Sequence, residues 1–167
     1  MTINTIETNV KDCVLIEPNL FSDQRGVFSE IYKLSNNQFD CKQVNYSLSK
    51  KGTLRGMHKA PYSKLITCVE GEVFDVCLDL REDSPTYLKY FGAKLNSNSM
   101  RQLYIPENCA HGFYSITNSV VIYLQNSEYD PKNDIGVCYK NYNIAWPETP
   151  SIISERDSSA CHCQIKE

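Results

Sequence analysis

Three histidines stand in the chain, and two of them lie in segments flanked by turn signals. His58 closes the run Thr53-Leu54-Arg55-Gly56-Met57-His58, while His111 follows Ile105-Pro106-Glu107-Asn108-Cys109-Ala110 and precedes Gly112-Phe113. An imidazole, with an ordinary pKa of about 6.5, gains or loses a proton near neutral pH and is also the commonest metal ligand. Two turn-flanked histidines that reach one cavity could therefore do acid–base chemistry or hold a metal. Satisfied inside a β core, they would do neither. The third histidine belongs to Cys161-His162-Cys163, half of a metal site by its residue types. No second Cys/His pair stands at finger spacing, and a structural zinc needs a full tetrahedral set, so no zinc is expected there.

Strands must position these side chains. Short runs rich in β-branched and aromatic residues recur at 13–16, 26–32, 64–69, 73–80, 87–95, 101–105, 112–116 and 120–125. Glu70-Gly71-Glu72 and Asp83-Ser84-Pro85 between them read as hairpin turns. Val73, Asp75 and Cys77 against Phe74, Val76 and Leu78 alternate only weakly, as in a sandwich or barrel whose sheets are covered on both faces. No long segment keeps the helical period. The pattern predicts a single all-β domain over residues 1–167, with short helical segments at 34–39 and from 154 onward.

The 17 Lys+Arg and 20 Asp+Glu leave a formal net charge of −3, where a general nucleic-acid binder would be basic. No run approaches the ~18 to 20 apolar residues that cross a bilayer. The opening segment from Met1 to Val10 alternates polar and apolar, includes Glu7, and has no apolar signal-peptide core. A cytoplasmic protein with neither nucleic-acid nor membrane partners is expected. The 8 cysteines fall below the ~8–10% of a disulfide scaffold, so their even number is weak evidence for bridges. Cys68 and Cys77 sit in apolar runs, where a thiol packs as a small hydrophobe.

The strand, Pro-led turn and histidine around His111 are similar to the second motif of cupins, double-stranded β-helix jelly-roll barrels, with Asn108 taking the positive-φ place that usually falls to glycine. Metal-binding cupins carry His-x-His and then Glu in their first motif. Here the run is His58-Lys59-Ala60, with Lys64 the next polar residue pointing back. An ammonium has no lone pair to give a cation, so no metal is expected there.

Further landmarks follow in order: Asp23-Gln24-Arg25-Gly26 with Phe28 and Glu30; Gln43-Val44-Asn45-Tyr46-Ser47; Leu54-Arg55-Gly56-Met57-His58; Gly71-Glu72-Val73-Phe74-Asp75-Val76; residues 81–86; Ala110-His111-Gly112-Phe113; residues 123–131; Trp146-Pro147; and Ser154-Glu155-Arg156-Asp157. Together, from about Leu15 to Asp157, they resemble the nucleotide-sugar 4-keto epimerases, the dTDP-4-dehydrorhamnose 3,5-epimerase family.

That resemblance implies proton chemistry beside a ketone. A C–H next to the C4 carbonyl is a poor acid, so the enzyme supplies a base, stabilises the enolate and returns a proton from the other face. By the same resemblance, His58 is the base, Asp157 its carboxylate partner, Lys64 the cation near the carbonyl with His111 beside it, and Tyr123 the acid opposite. Arg25, Arg55 and Arg156 would meet the pyrophosphate or sugar, and Gln43 and Asn45 would bond the sugar or base. Phe28, Glu30 and Tyr129 would shape the nucleotide end, with Asp134 standing where Glu is usual. In the family the Asp-x-Arg-Gly segment reaches a neighbouring subunit, which implies a homodimer with composite sites. Taken singly, Lys64 reads equally as a solvated strand residue, Tyr123 as packing, and Asp157 as a helix-start carboxylate. The compact Lys59-Ala60-Pro61-Tyr62-Ser63 replaces a longer loop of relatives and bears on which nucleotide or sugar fits. Inversion at C3 and C5 is the expected activity. The alternatives are a single-centre 3-epimerase, an epimerase of GDP-linked 4-keto heptoses, a 3,4-ketoisomerase, a metal-dependent cupin and a silent sugar-binding cupin.

Overall fold

The computed structural model describes residues 4–33 and 40–163, the side chains of 162 and 163 apart. One sheet runs β1 (Asn4–Glu7), β2 (Val14–Glu17), β10 (Gln102–Ile105), β7 (Lys64–Glu70), β12 (Ser119–Gln125) and β5 (Gln43–Ser49), every neighbouring pair antiparallel. The other runs β13 (Ile135–Gly136), β6 (Thr53–Lys59), β11 (Cys109–Ser115), β8 (Glu72–Asp79) and β9 (Tyr90–Asn96), with β14 (Ile152–Ile153) parallel to β6. A separate hairpin joins β3 (Phe21–Asp23) to β4 (Gly26–Phe28), and one helix, α1 (Glu155–Cys163), follows β14. This is the cupin-type β-sandwich expected from the residues.

Strand periodicity decides what lies between the sheets. Val73 and Cys77 of β8 face inward with Ile66 and Cys68 of β7, Leu103 of β10, Phe113 of β11 and Val121 of β12, forming the inter-sheet core. Val76 and Leu78 face outward with Leu54, Met57 and Tyr114, and the segment carrying Val137, Tyr139 and Ile144 covers them. Both faces of β8 are thus buried, which explains its weak alternation. Each such side chain contributes about 1.5–3 kcal/mol when fully withdrawn from water.

Several boundaries differ from the sequence reading. The 26–32 run is strand only over Gly26–Phe28. The 87–95 run begins at Tyr90, because the chain before it wraps the Asp79 carboxylate, which accepts from Arg81 Nε (2.9 Å), Ser84 Oγ (2.6 Å) and Thr86 Oγ1 (2.6 Å). Burial pushes that carboxyl up, and these donors outweigh it, leaving Asp79 well below the ordinary carboxylate range. β11 starts at Cys109, so His111 lies inside a strand. Asn108 has φ of 62°, as its place after Pro106 requires. The helix expected from 154 onward is α1, while the one expected at 34–39 lies outside the described residues. Cys138 and Cys161 are joined in a disulfide that the sequence reading did not anticipate.

Candidate active site

A polar cavity of ≈ 900 Å³ opens beside the inter-sheet core, and a defect in β6 builds it. His111 pairs with His58 and Gly112 with Gly56, so Met57 is an extra residue on the β6 side. This bulge switches the strand's parity. Leu54 and Met57 both face the outer core, while Arg55 and His58 both line the cavity. Gly56 has φ of +105°, and a Cβ there would come within 2.7 Å of the His111 carbonyl oxygen and 2.8 Å of Gly112 Cα. Only glycine fits a backbone that close and that conformation.

Asp157 closes on the same place from α1. Its Oδ1 lies 2.7 Å from His58 Nε2 and its Oδ2 accepts the Gly56 N–H at 3.0 Å. Ser154 caps the helix, its Oγ accepting the Asp157 N–H at 3.1 Å, which fixes the carboxylate one turn in. Burial raises this carboxyl, but the His58 and Gly56 hydrogen bonds, the attraction of His58 and the Ser154 contact overcome it, holding Asp157 below its ordinary value. A carboxylate on Nε2 keeps a proton there and leaves Nδ1 as the basic nitrogen. Nδ1 lies 4.0 Å from Asp134 Oδ1. Asp134 itself receives Arg156 Nη2 at 2.8 Å and the Tyr62 hydroxyl at 3.4 Å.

The facing sheet supplies a different set. Inward positions of β7 and β12 put Lys64, Tyr123 and Gln125 on the opposite wall. Lys64 is buried, its Nζ 5.5 Å from the centre of the Tyr62 ring, and no hydrogen-bond acceptor meets it among the described residues. Burial lowers its pKa; Asp134 and Asp75 oppose that only in part. Burial also raises the Tyr123 phenol, with Arg55 pulling the other way, so it stays protonated at neutral pH. Across from Lys64, His111 Nε2 lies 2.8 Å from Asp75 Oδ1; both residues are buried, and Asp75 Oδ2 has no hydrogen-bond partner among the described residues.

The chain matches the model of the dTDP-4-dehydrorhamnose 3,5-epimerase family over residues 7–164. It belongs to that family. The dTDP-4-dehydrorhamnose 3,5-epimerase of Shigella flexneri is 38% identical over 168 residues, 93% of each chain. The 3,5-epimerase of Legionella pneumophila, solved with dTDP-4-keto-L-rhamnose, superposes at a TM-score of 0.90 with 32% identity, covering 95% of this chain and 91% of that one. A 3'-monoepimerase of Streptomyces bikiniensis solved with dTDP-quinovose has a TM-score of 0.86 and 28% identity, covering 92% of this chain and 84% of that one. The family is one of isomerases, and no helix among the described residues is long and apolar enough to cross a membrane.

In this 3,5-epimerase family member the cavity gathers nine of the residues singled out in the sequence: Arg55, His58 and Lys64, then His111, Tyr123 and Tyr129, then Asp134, Arg156 and Asp157. Gln43 and Asn45 stand behind them on β5. Gln43 Oε1 accepts the Tyr129 N–H at 2.8 Å, and Asn45 Nδ2 donates to Gln125 at 3.3 Å. Arg25, Phe28 and Glu30 are not among this cavity's lining; all three are exposed on and after the β3–β4 hairpin, Arg25 being paired to Asp23. Asp75 and Tyr62 were not singled out in the sequence; Ser154 was, as a helix start, though not as the cap that sets Asp157. A carboxylate between Phe74 and Val76 in an apolar strand was the available signal for Asp75, because a buried acid needs a partner.

Proposed function

We propose that this chain is a cofactor-independent epimerase of a dTDP-linked 4-keto-6-deoxy sugar, inverting C3 and C5. One observation carries the reading: the His58–Asp157 pair on β6 and α1 faces Tyr123 and Lys64 on β12 and β7 across a single cavity. His58 Nδ1 takes the proton from the carbon beside the ketone, and the C–H electron pair moves to make the enolate, its charge on the C4 oxygen. Lys64, lacking a hydrogen-bond acceptor of its own among the described residues, stabilises that charge together with His111, which Asp75 orients. Tyr123 then gives its proton to the opposite face of the carbon, and the enolate collapses to the ketone with the centre inverted. The imidazolium and phenolate return to their starting states by exchange with water. Only protons move, so the scheme asks for no metal or redox group.

Arg55 and Arg156 suit the pyrophosphate, since a guanidinium meets phosphate oxygens with two parallel donors. The homodimer expected above is part of the proposal. β5 is an edge strand whose Val44, Tyr46 and Leu48 are 62%, 68% and 62% exposed, a surface fit for a second copy that would bring its Arg25, Phe28 and Glu30 to this cavity. Residues 1–167 act as one domain, and a cytoplasmic location fits a nucleotide-sugar substrate.

Proton NMR in D₂O with dTDP-4-keto-6-deoxyglucose tests the reading. Loss of both the C3 and C5 proton signals, abolished in His58→Ala, is expected. Loss at C3 alone would make it a 3-epimerase. Exchange only with a GDP-linked 4-keto sugar would replace the nucleotide, and undiminished exchange in His58→Ala would refute the base.

A further inference from the structure

Asp157, the carboxylate that holds His58, rides on a helix with few other attachments. Among the described side chains of α1 only Asp157 is buried; Glu155, Arg156 and Ser159 are exposed, and Ser158, Ala160 and Cys161 are half-buried. A helix of 9 residues is marginal by itself, since about 12–15 are needed before propagation repays nucleation. An apolar stripe against the body normally makes up the difference. α1 has none. Its ties are the Asp157 bonds to His58 and Gly56, the Arg156 bonds to Asp134, a close approach of Ala160 to Gly136, and the disulfide from Cys161 to Cys138.

The bridge is placed to matter for the base. Cys161 lies one helical turn beyond Asp157, on the same side of α1. Cys138 follows Gly136, which pairs with His58 across β13 and β6, and Val137 between them donates its N–H to the Met57 carbonyl at 2.8 Å. The disulfide therefore clamps the helix that carries one carboxylate near His58 to the segment that follows the other, Asp134. Cys13, Cys68, Cys77 and Cys109 are buried free thiols elsewhere in the sandwich.

We infer that Cys138 and Cys161 are positioning residues for the base, and that turnover follows the thiol–disulfide state of the surroundings. Bridged, the pair holds α1 so that Asp157 meets His58 and Arg156 meets Asp134. Opened, it leaves α1 on its polar contacts and the small Ala160 and Cys161 packing, and the His58–Asp157 pair loosens. Opening is a two-electron reduction by a small thiol. Its thiolate attacks the sulfur of the half-buried Cys161, Cys138 leaves as a thiolate and takes a proton, and a second small thiol resolves the mixed disulfide; the chain gains two thiols and the reductant becomes a small disulfide. In a compartment kept reduced by such thiols, bridges of this kind are as a rule transient and sensing. The inference rests on the roles proposed for His58 and Asp157.

The test equilibrates the full chain in reduced or oxidised glutathione, reads the bridge by differential alkylation and intact mass, and measures turnover and the imidazole N–H proton resonance in each state. Reduction is expected to lower kcat by roughly 10- to 100-fold, the scale of loss for an ångström of misplacement, and reoxidation to restore it. Cys138→Ser/Cys161→Ser should match the reduced wild type in both buffers. A low-field N–H resonance from the 2.7 Å His58–Asp157 bond, absent in Asp157→Asn, should be present when bridged and lost on opening. Equal turnover and an unchanged resonance in the two states would overturn the inference. So would alkylation of both cysteines after oxidising equilibration. If no nucleotide sugar turned over in either state, the proposed function would fail, and the resonance alone would still decide the clamp.

Discussion

A buried ammonium with no acceptor at its Nζ among the described residues is costly unless something else will meet it, and at Lys64 the developing enolate oxygen is the candidate. Its protonated form is the one the mechanism uses. Because burial lowers its pKa, activity should fall as pH rises through a value below the ordinary lysine range, and be complete on the acid side of it. A pH profile of kcat/KM should show that basic limb in the wild type and none in Lys64→Arg, whose guanidinium does not deprotonate. Lys64→Ala should lose on the order of 10²- to 10³-fold in kcat. His58 and His111 were legible in the sequence because turn residues and glycines bracket them. Asp75 and Tyr62 were not. Their roles come from cross-strand register and from a loop folding back, Asp75 opposite Phe113 and next to the His111 ring, Tyr62 against Asp134.

At the scale of elements, the bulge in β6 determines which residues reach the substrate. If Met57 were paired as an ordinary strand residue, with no bulge, alternation would put Arg55 and His58, three residues apart, on opposite faces. Gly56→Ala forces a Cβ against backbone of β11, which cannot give way as a flexible side chain could. It should cost about 2 to 4 kcal/mol, read as a lower urea midpoint at constant slope, and should reduce kcat beyond what stability alone explains. Most strands were legible from β-branched runs, and α1 from the Ser154 start. β13 and β14, with two residues each, carry no periodicity to read. Tyr87 and Leu88 look like strand residues by type, but the hydrogen bonds around Asp79 take that segment instead. The Cys138–Cys161 bridge spans 23 residues, and nothing in the spacing of 8 cysteines selects that pair.

For the whole molecule, β5 links the cavity to the proposed homodimer. Its residues alternate, yet the polar set, Gln43, Asn45 and Ser47, is the half-buried one, and the apolar set, Val44, Tyr46 and Leu48, is exposed. That inversion hid the strand from a reading that places apolar residues inside. It makes sense if the inward face borders a sugar-nucleotide cavity and the outward face meets a second copy. The proposed composite sites have an arithmetic consequence. Mixing His58→Ala and Arg25→Ala protomers should restore about a quarter of wild-type turnover, because half of randomly assorted dimers are mixed and each carries one intact site; no recovery would mean that Arg25 serves its own chain. The central claim is that base and acid stand on opposite sheets, so that a proton leaves one face of the sugar and returns to the other. Tyr123→Phe, followed by NMR in D₂O, tests it most directly. Deuterium should still enter C3 through His58 while inversion falls by about 10²-fold or more. Inversion at the wild-type rate in Tyr123→Phe would contradict it.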